Sequence, residues 1–183
     1  MHKDDDFDPE APLAAAIVDD RSLDMDAFLT AIVRRQQALG LRLRGFLMKR
    51  PPRENGCAAT MVLVDVNDAS EYLVSQPLGS GSRGCRADPA AFARASQVLR
   101  EALEQAPDLI VSNRFGDLEL RRGGFSAELL AAMEHGIPLL TTVAQRNAEA
   151  WQQFSGAGRL LPPDEAAVSA WLAAAIALSR ASS

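Results

Sequence analysis

The chain has 183 residues, 48% of them hydrophobic, which is enough for one globular domain with a sizeable buried core. A net charge of −5 and a pI near 5.1 argue against a general nucleic-acid binder. His2 and His135 stand far apart and Cys57 and Cys85 make no C-x-x-C pair, which argues against a zinc site and for a reducing cytoplasm.

Residues 1–12 are acidic, lack the apolar core of a leader and read as a disordered tail ahead of a single domain over 13–183. Residues 13–18 form an apolar run expected to be a buried first strand, and Asp19-Asp20-Arg21-Ser22 follows as a turn. Met25, Phe28, Leu29, Ile32 and Val33 then recur at helical spacing within 23–39, with Gly40 as the C-cap. A second strand is expected over 41–48, and residues 49–56, with Pro51-Pro52, read as a basic loop. The runs 60–66 and 71–76 flank Asn67-Asp68-Ala69-Ser70 and predict a hairpin.

Asp88-Pro89 is a helix start, a carboxylate cap with proline at the first helical position, and the helix runs to about residue 105. A strand over 108–112 leads into Asn113-Arg114-Phe115-Gly116. A helix over 125–135 is closed by Gly136, a strand follows over 137–143, and a helix occupies 147–154. Residues 155–163 are expected as a loop before Asp164 caps the terminal helix. Its stripe of Val168, Trp171, Leu172 and Ile176 is expected to pack in the core, with a homodimer interface as the alternative. That helix is too short to cross a bilayer, which needs roughly 20 apolar residues. The alternation predicts an α/β fold, a three-layer, mostly parallel sheet with helices on both faces and ligands at the C-terminal strand ends.

Between the hairpin and the Asp88 helix lies the stretch richest in chemistry. Ser75, Gly79, Ser80, Gly81, Ser82, Arg83, Gly84 and Arg86 combine free backbone amides, hydroxyls and guanidiniums, the means of holding an anion without a metal. A plain glycine-rich surface connection is the alternative. Gly79-x-Gly81-x-x-Gly84 matches the dinucleotide fingerprint in letters, but there the third glycine sits inside the helix start, whereas here the helix begins at Asp88-Pro89. The turn after the first strand offers Asp19 and Asp20 where a phosphate-binding loop needs glycines and a lysine, and two carboxylates repel a phosphate. Those acids with Asp65 suggest a phosphorylation receiver, but no lysine follows the last strand. Cys85 beside Arg86 has no supporting His or Asn, and reads as a small packing residue rather than a nucleophile. Arg121-Arg122-Gly123-Gly124 reads as a solvated turn.

The segment 108–147 resembles the later half of the THEP-type nucleoside triphosphatases, P-loop proteins, with Phe115-Gly116 and Glu119-Leu120 at matching positions. With Ser75-Gln76-x-Leu78-Gly79-x-Gly81-Ser82-x-Gly84-Cys85-Arg86 and Asn113-Arg114-Phe115-Gly116 included, the chain resembles the bacterial family called domain of unknown function 2478 over about 13–172. That resemblance implies a P-loop-like fold and a genetic neighbourhood of molybdenum transport or nitrogenase. It also implies degenerate Walker motifs, because Asn113 and Arg114 stand where the triphosphatases carry a magnesium-binding aspartate and a catalytic glutamate. A guanidinium there opposes magnesium and favours an anion that arrives without a metal.

The reading that follows is a cytoplasmic accessory protein, a binder rather than an enzyme. It would hold a molybdate-like oxyanion, phosphate or the phosphates of a nucleotide. The ligand-binding set is Ser75, the 79–84 loop and Arg86 together with Asn113, Arg114 and Arg146. For Arg114 alone the competing expectation is an ion pair with Asp19 or Asp20. No cofactor is named by the sequence, and neither nucleic acid nor membrane is expected as a partner. The rival is a triphosphatase or phosphotransferase with rearranged residues, using Asp19, Asp20 or Glu119 for a metal; a ligand-free interaction module is the third possibility.

Overall fold

The computed structural model describes residues 13–51, 60–77 and 85–182. The expected acidic tail, most of the 49–56 basic loop and the whole 79–84 glycine stretch lie outside them. The order is β1 (Ala14–Asp19), α1 (Met25–Ala38), β2 (Leu43–Lys49), β3 (Val62–Asp65), β4 (Glu71–Leu73), β5 (Ser75–Pro77) and β6 (Cys85–Ala87). There follow α2 (Pro89–Glu104), β7 (Leu109–Phe115), α3 (Asp117–Leu120), α4 (Ser126–Glu134), β8 (Leu139–Ala144), α5 (Ala148–Ser155), β9 (Arg159–Leu161) and α6 (Glu165–Ala181).

Among the described residues seven strands make one sheet in the order β4-β3-β2-β7-β8-β1-β9, in which β3 alone runs opposite to the others. Period-2 alternation divides it between two cores. Ala14, Ala16, Phe46, Ile110 and Leu139 face α2, α4 and α5, while Ala15, Ile17, Leu43, Leu109 and Leu140 face α1 and α6. The helices answer with stripes at helical spacing: Met25, Leu29, Ile32 and Val33 on α1, and Val168, Trp171, Leu172, Ala175 and Ile176 on α6. The α6 stripe is core, as expected. Each of α1, α2 and α6 begins where an aspartate accepts from a free first-turn amide: Asp24 from Ala27, Asp88 from Ala90 and Ala91, Asp164 from Ala167. Gly45 has φ +120, and a Cβ there would meet the Val111 carbonyl at 1.9 Å, so β2 and β7 approach closely only without a side chain at this point.

The structure corrects the sequence reading in four places. The strand expected over 71–76 is two: Val74 is fully buried, and its carbonyl accepts the Asp88 N–H, after which β5 leaves the sheet and pairs antiparallel with β6. The glycine segment therefore joins two arms of a hairpin rather than a strand to a helix. Pro77 does not end the strand, but sits in it opposite Cys85; a two-stranded ribbon has an unpaired edge on each arm, which tolerates a missing N–H. β7 extends three residues past the expected Ser112, through Asn113, Arg114 and Phe115, with a register irregularity between Ser112 and Phe115. Finally, β9 pairs with β1 inside the expected 155–163 loop, and the short α3 was not foreseen.

Candidate functional site

The parallel strands β1, β2, β7 and β8 all end on one side of the sheet, and β4 ends there too because β2–β3–β4 runs as an antiparallel meander. A cavity of about 830 Å³ opens over these ends. Its floor is apolar: Met48 and Met61, Leu63, Val74, and Phe92 and Phe125 with ring centroids 5.4 Å apart. Its rim is charged, with Asp19 at the end of β1 and Asp20 and Arg21 after it, Arg114 near the end of β7, Asp117 on α3, and Arg146 in the single helical turn after β8.

The turn after β1 is closed by its own carboxylates. Asp19 Oδ1 accepts from Arg21 N–H at 3.0 Å, Asp20 Oδ1 from Ser22 N–H at 2.9 Å, and Asp24 Oδ1 from Ala27 N–H at 3.1 Å. Hydrogen bonds from the hydroxyl and amide of Ser22 hold the Asp20 carboxyl below its ordinary value. In this fold class the amides at this helix start are the usual phosphate cradle, and here the chain supplies its own anions to them.

At the other wall the side chain of Asn113 is 5% exposed and committed at both ends: Nδ2 donates to Asp26 Oδ1 at 3.0 Å, and Oδ1 accepts from Thr142 at 3.1 Å. Phe115 is fully buried, with ring centroids 5.2 Å from Trp151 and 5.0 Å from Phe154. Arg114 between them has φ 135, a conformation that L side chains rarely adopt. Its guanidinium lies 3.7 Å from Asp19 Oδ2, the pair expected as the alternative reading of this arginine. Glu119, 6% exposed, is a clasp for the same wall: its carboxylate accepts from Gly116 N–H at 3.0 Å and Phe125 N–H at 3.3 Å. Burial raises its carboxyl above the ordinary value, against the lowering by those amides. A Cβ on Gly124 (φ +56) would lie 2.1 Å from Glu119 Oε1, so the clasp requires glycine there.

Of the residues singled out from sequence, the structure brings Asn113, Arg114 and Arg146 to this one cavity. Ser75 is buried, its hydroxyl accepting the Met61 N–H at 2.8 Å, which ties the ribbon to the residue before β3. Arg86 stands in β6 opposite Gln76, whereas Gly79, Ser80, Gly81, Ser82, Arg83 and Gly84 are outside the described residues. Sequence reasoning missed the apolar floor and the Asp26 and Thr142 partners of Asn113. The donors do not suit magnesium: among the described residues no three His, Cys, Asp or Glu side chains converge, the Asn113 amide is spent, Glu119 is clasped, and Arg114 puts positive charge between.

The family model described as Protein of unknown function (DUF2478) matches residues 14–171, and the chain belongs to that family. It is 34% identical over 149 residues to the protein named molybdenum import ATP-binding protein ModC 2 of Bradyrhizobium diazoefficiens, a match covering 81% of this chain and 17% of that protein. The fold matches the solution structure of a human cancer-related nucleoside triphosphatase, with a TM-score of 0.62 and 14% identity, over 93% of this chain and 98% of the other. The chain shares the fold of that protein, a mostly parallel sheet with helices on both faces.

Proposed function

We propose that this protein is an accessory binding protein that holds the anionic part of a small ligand in the strand-end cavity, without a metal and without hydrolysing it. The observation that carries this reading is the inversion of charge at the strand ends. The turn that would cradle phosphate is filled by Asp19, Asp20 and Asp24, while guanidiniums of Arg114 and Arg146 line the cavity. Arginine suits oxyanions because its fixed fork matches two oxygens at once.

The size and lining favour an anion with an apolar body. About 830 Å³ is within the range of small-molecule sites, roughly 300–1,000 Å³, and well beyond a bare oxyanion. Phe92, Phe125 and the two methionines offer a face for a base or a similar planar group. A nucleotide fits this description best; molybdate or phosphate would use the arginine end alone. The similarity to a protein named for molybdenum import supports a role beside molybdenum handling. Among the described residues no helix is long and apolar enough to cross a membrane, which suits a cytoplasmic place of work. Against the enzymatic rival stands Glu119, whose carboxylate is buried and occupied by two backbone amides.

A thermal-shift series with AMP, ADP, ATP, molybdate, tungstate, phosphate and sulfate, each in magnesium and in EDTA, tests the reading. A ligand at 100 times its Kd stabilises by about 2.7 kcal/mol. The shift is expected to persist in EDTA and to vanish in an Arg114→Ala, Arg146→Ala double variant. An Arg83→Ala, Arg86→Ala pair, assayed alongside, decides whether the glycine segment contributes. Stabilisation or turnover of ATP that requires magnesium would overturn the proposal.

A further inference from the structure

We infer that Asp19 is a built-in competitor for the ligand: it pairs with Arg114 and must be displaced by a doubly charged oxyanion. The inference rests on the functional reading above and goes beyond it, because it names the charge class that Arg114 favours and the residue that the ligand displaces.

Arg114 is held from both sides. Asn113 before it is tied to α1 through Asp26 and to β8 through Thr142, and Phe115 after it is locked among Trp151 and Phe154. Backbone strain of this kind persists only where the surroundings over-determine it. The anchors therefore impose the register irregularity that sends the Arg114 side chain to the cavity wall. Yet the partner it meets there is poorly made. The Asp19 contact is 3.7 Å, beyond hydrogen-bond range, and the arginine side chain remains 37% exposed. Asp19 spends its other oxygen on the Arg21 amide, so it offers Arg114 one oxygen and no bidentate pair.

The surrounding charges do not relieve this. Asp20 is turned to Ser22, Asp26 is engaged by Arg50 at 3.2 Å and by Asn113, and among the described residues Asp19 is the only acid within ion-pair distance of Arg114. A strained, anchored guanidinium with one distant oxygen for company is prepared for a better acceptor. A tetrahedral dianion supplies two oxygens and twice the charge of the carboxylate. A monoanion faces the same displacement cost and gains less from the guanidinium.

Isothermal titration at pH 8 with molybdate and with AMP, both dianions, and with perrhenate, a tetrahedral monoanion, tests the inference on the full chain. Asp19→Asn keeps an oxygen for the Arg21 amide and removes the charge; Asp19→Ser does so with a shorter side chain, in case the first variant misfolds. Each is expected to lower the Kd for molybdate and AMP at least about fivefold, with perrhenate the weakest ligand of wild type and variants alike. Unchanged or weaker dianion binding in both variants, or perrhenate matching molybdate in the wild type, overturns the inference while leaving the functional reading standing. Should the wild type bind none of the three, gain of binding in Asp19→Asn upholds both the competitor and the anion site it guards. Silence in wild type and variants sinks both.

Discussion

The two ends of β7 carry an acid–arginine cluster each, and they are built in opposite ways. At the N-terminal end Asp108 accepts the Arg42 N–H at 2.7 Å on one oxygen and the Arg180 guanidinium at 3.0 Å on the other. Burial on its own would raise that carboxyl, but the Arg42 amide and the Arg180 bond outweigh it and hold it below the ordinary value. At the C-terminal end Arg114 sits in a strained backbone and faces Asp19 across 3.7 Å. The lower cluster is complete and fastens β2, β7 and α6 together. The upper one is incomplete, and it borders the cavity. Within a single strand, the pairing is closed at one end and left open at the other, beside the cavity.

The largest test removes what enforces the upper geometry. Phe115→Ala empties a fully buried site against Trp151 and Phe154 and is expected to cost about 3–5 kcal/mol in chemical denaturation. The same change frees one side of Arg114, so anion affinity should fall even at temperatures where the variant is folded. A variant that loses stability but binds as tightly as wild type would show that the Phe115 anchor does not set the arginine.

What the sequence revealed, and what it hid, follows the same division between local and distant causes. Helix starts at Asp88-Pro89 and Asp164 were legible because a cap and its amides lie within three residues. The alternation of buried strands and striped helices gave the α/β class for the same reason. The end of β7 was not legible: Asn113 and Arg114 read as loop because polar residues rarely end a buried strand, and their partners lie 87 and 29 residues away for Asn113. The β5–β6 ribbon was missed because antiparallel pairing across the glycine segment leaves no periodic trace in strands of three residues. The cavity floor was missed too, since Met48, Met61, Phe92 and Phe125 look like ordinary core until the fold leaves them uncovered on one side.

A second perturbation attacks the closed cluster. Asp108→Ala removes both acceptors and should cost about 2 kcal/mol at neutral pH, with no change in anion binding. The effect has a defined pH window. The folded chain keeps this carboxyl below its ordinary 3.8, so it binds fewer protons there than the unfolded chain does. Its contribution is whole above 3.8 and drains away as pH falls through the folded value. Denaturation curves of wild type and variant should converge below that point. A gap that persists at the acid end would mean that packing, not charge, supplies the stability of the lower cluster.

The smallest expected effect is the sharpest discriminator, because its sign is unusual. A non-glycine residue at φ 135 carries about 1–3 kcal/mol of strain. Glycine adopts that backbone freely and returns about 0.5–1 kcal/mol through the greater freedom of its unfolded chain. The Asp19 pair lost in the exchange is long and partly exposed, and such pairs contribute at most about 1 kcal/mol. Arg114→Gly is therefore expected to gain about 1 kcal/mol, a rise in Tm of about 2–4 °C for a chain of this size, while abolishing anion binding. Arg114→Ala should lose binding equally yet gain nothing, since its Cβ keeps the strain. If calorimetry finds the glycine and alanine variants equally stable, the backbone at this position stores no strain and the contrast between the two ends of β7 loses its physical basis.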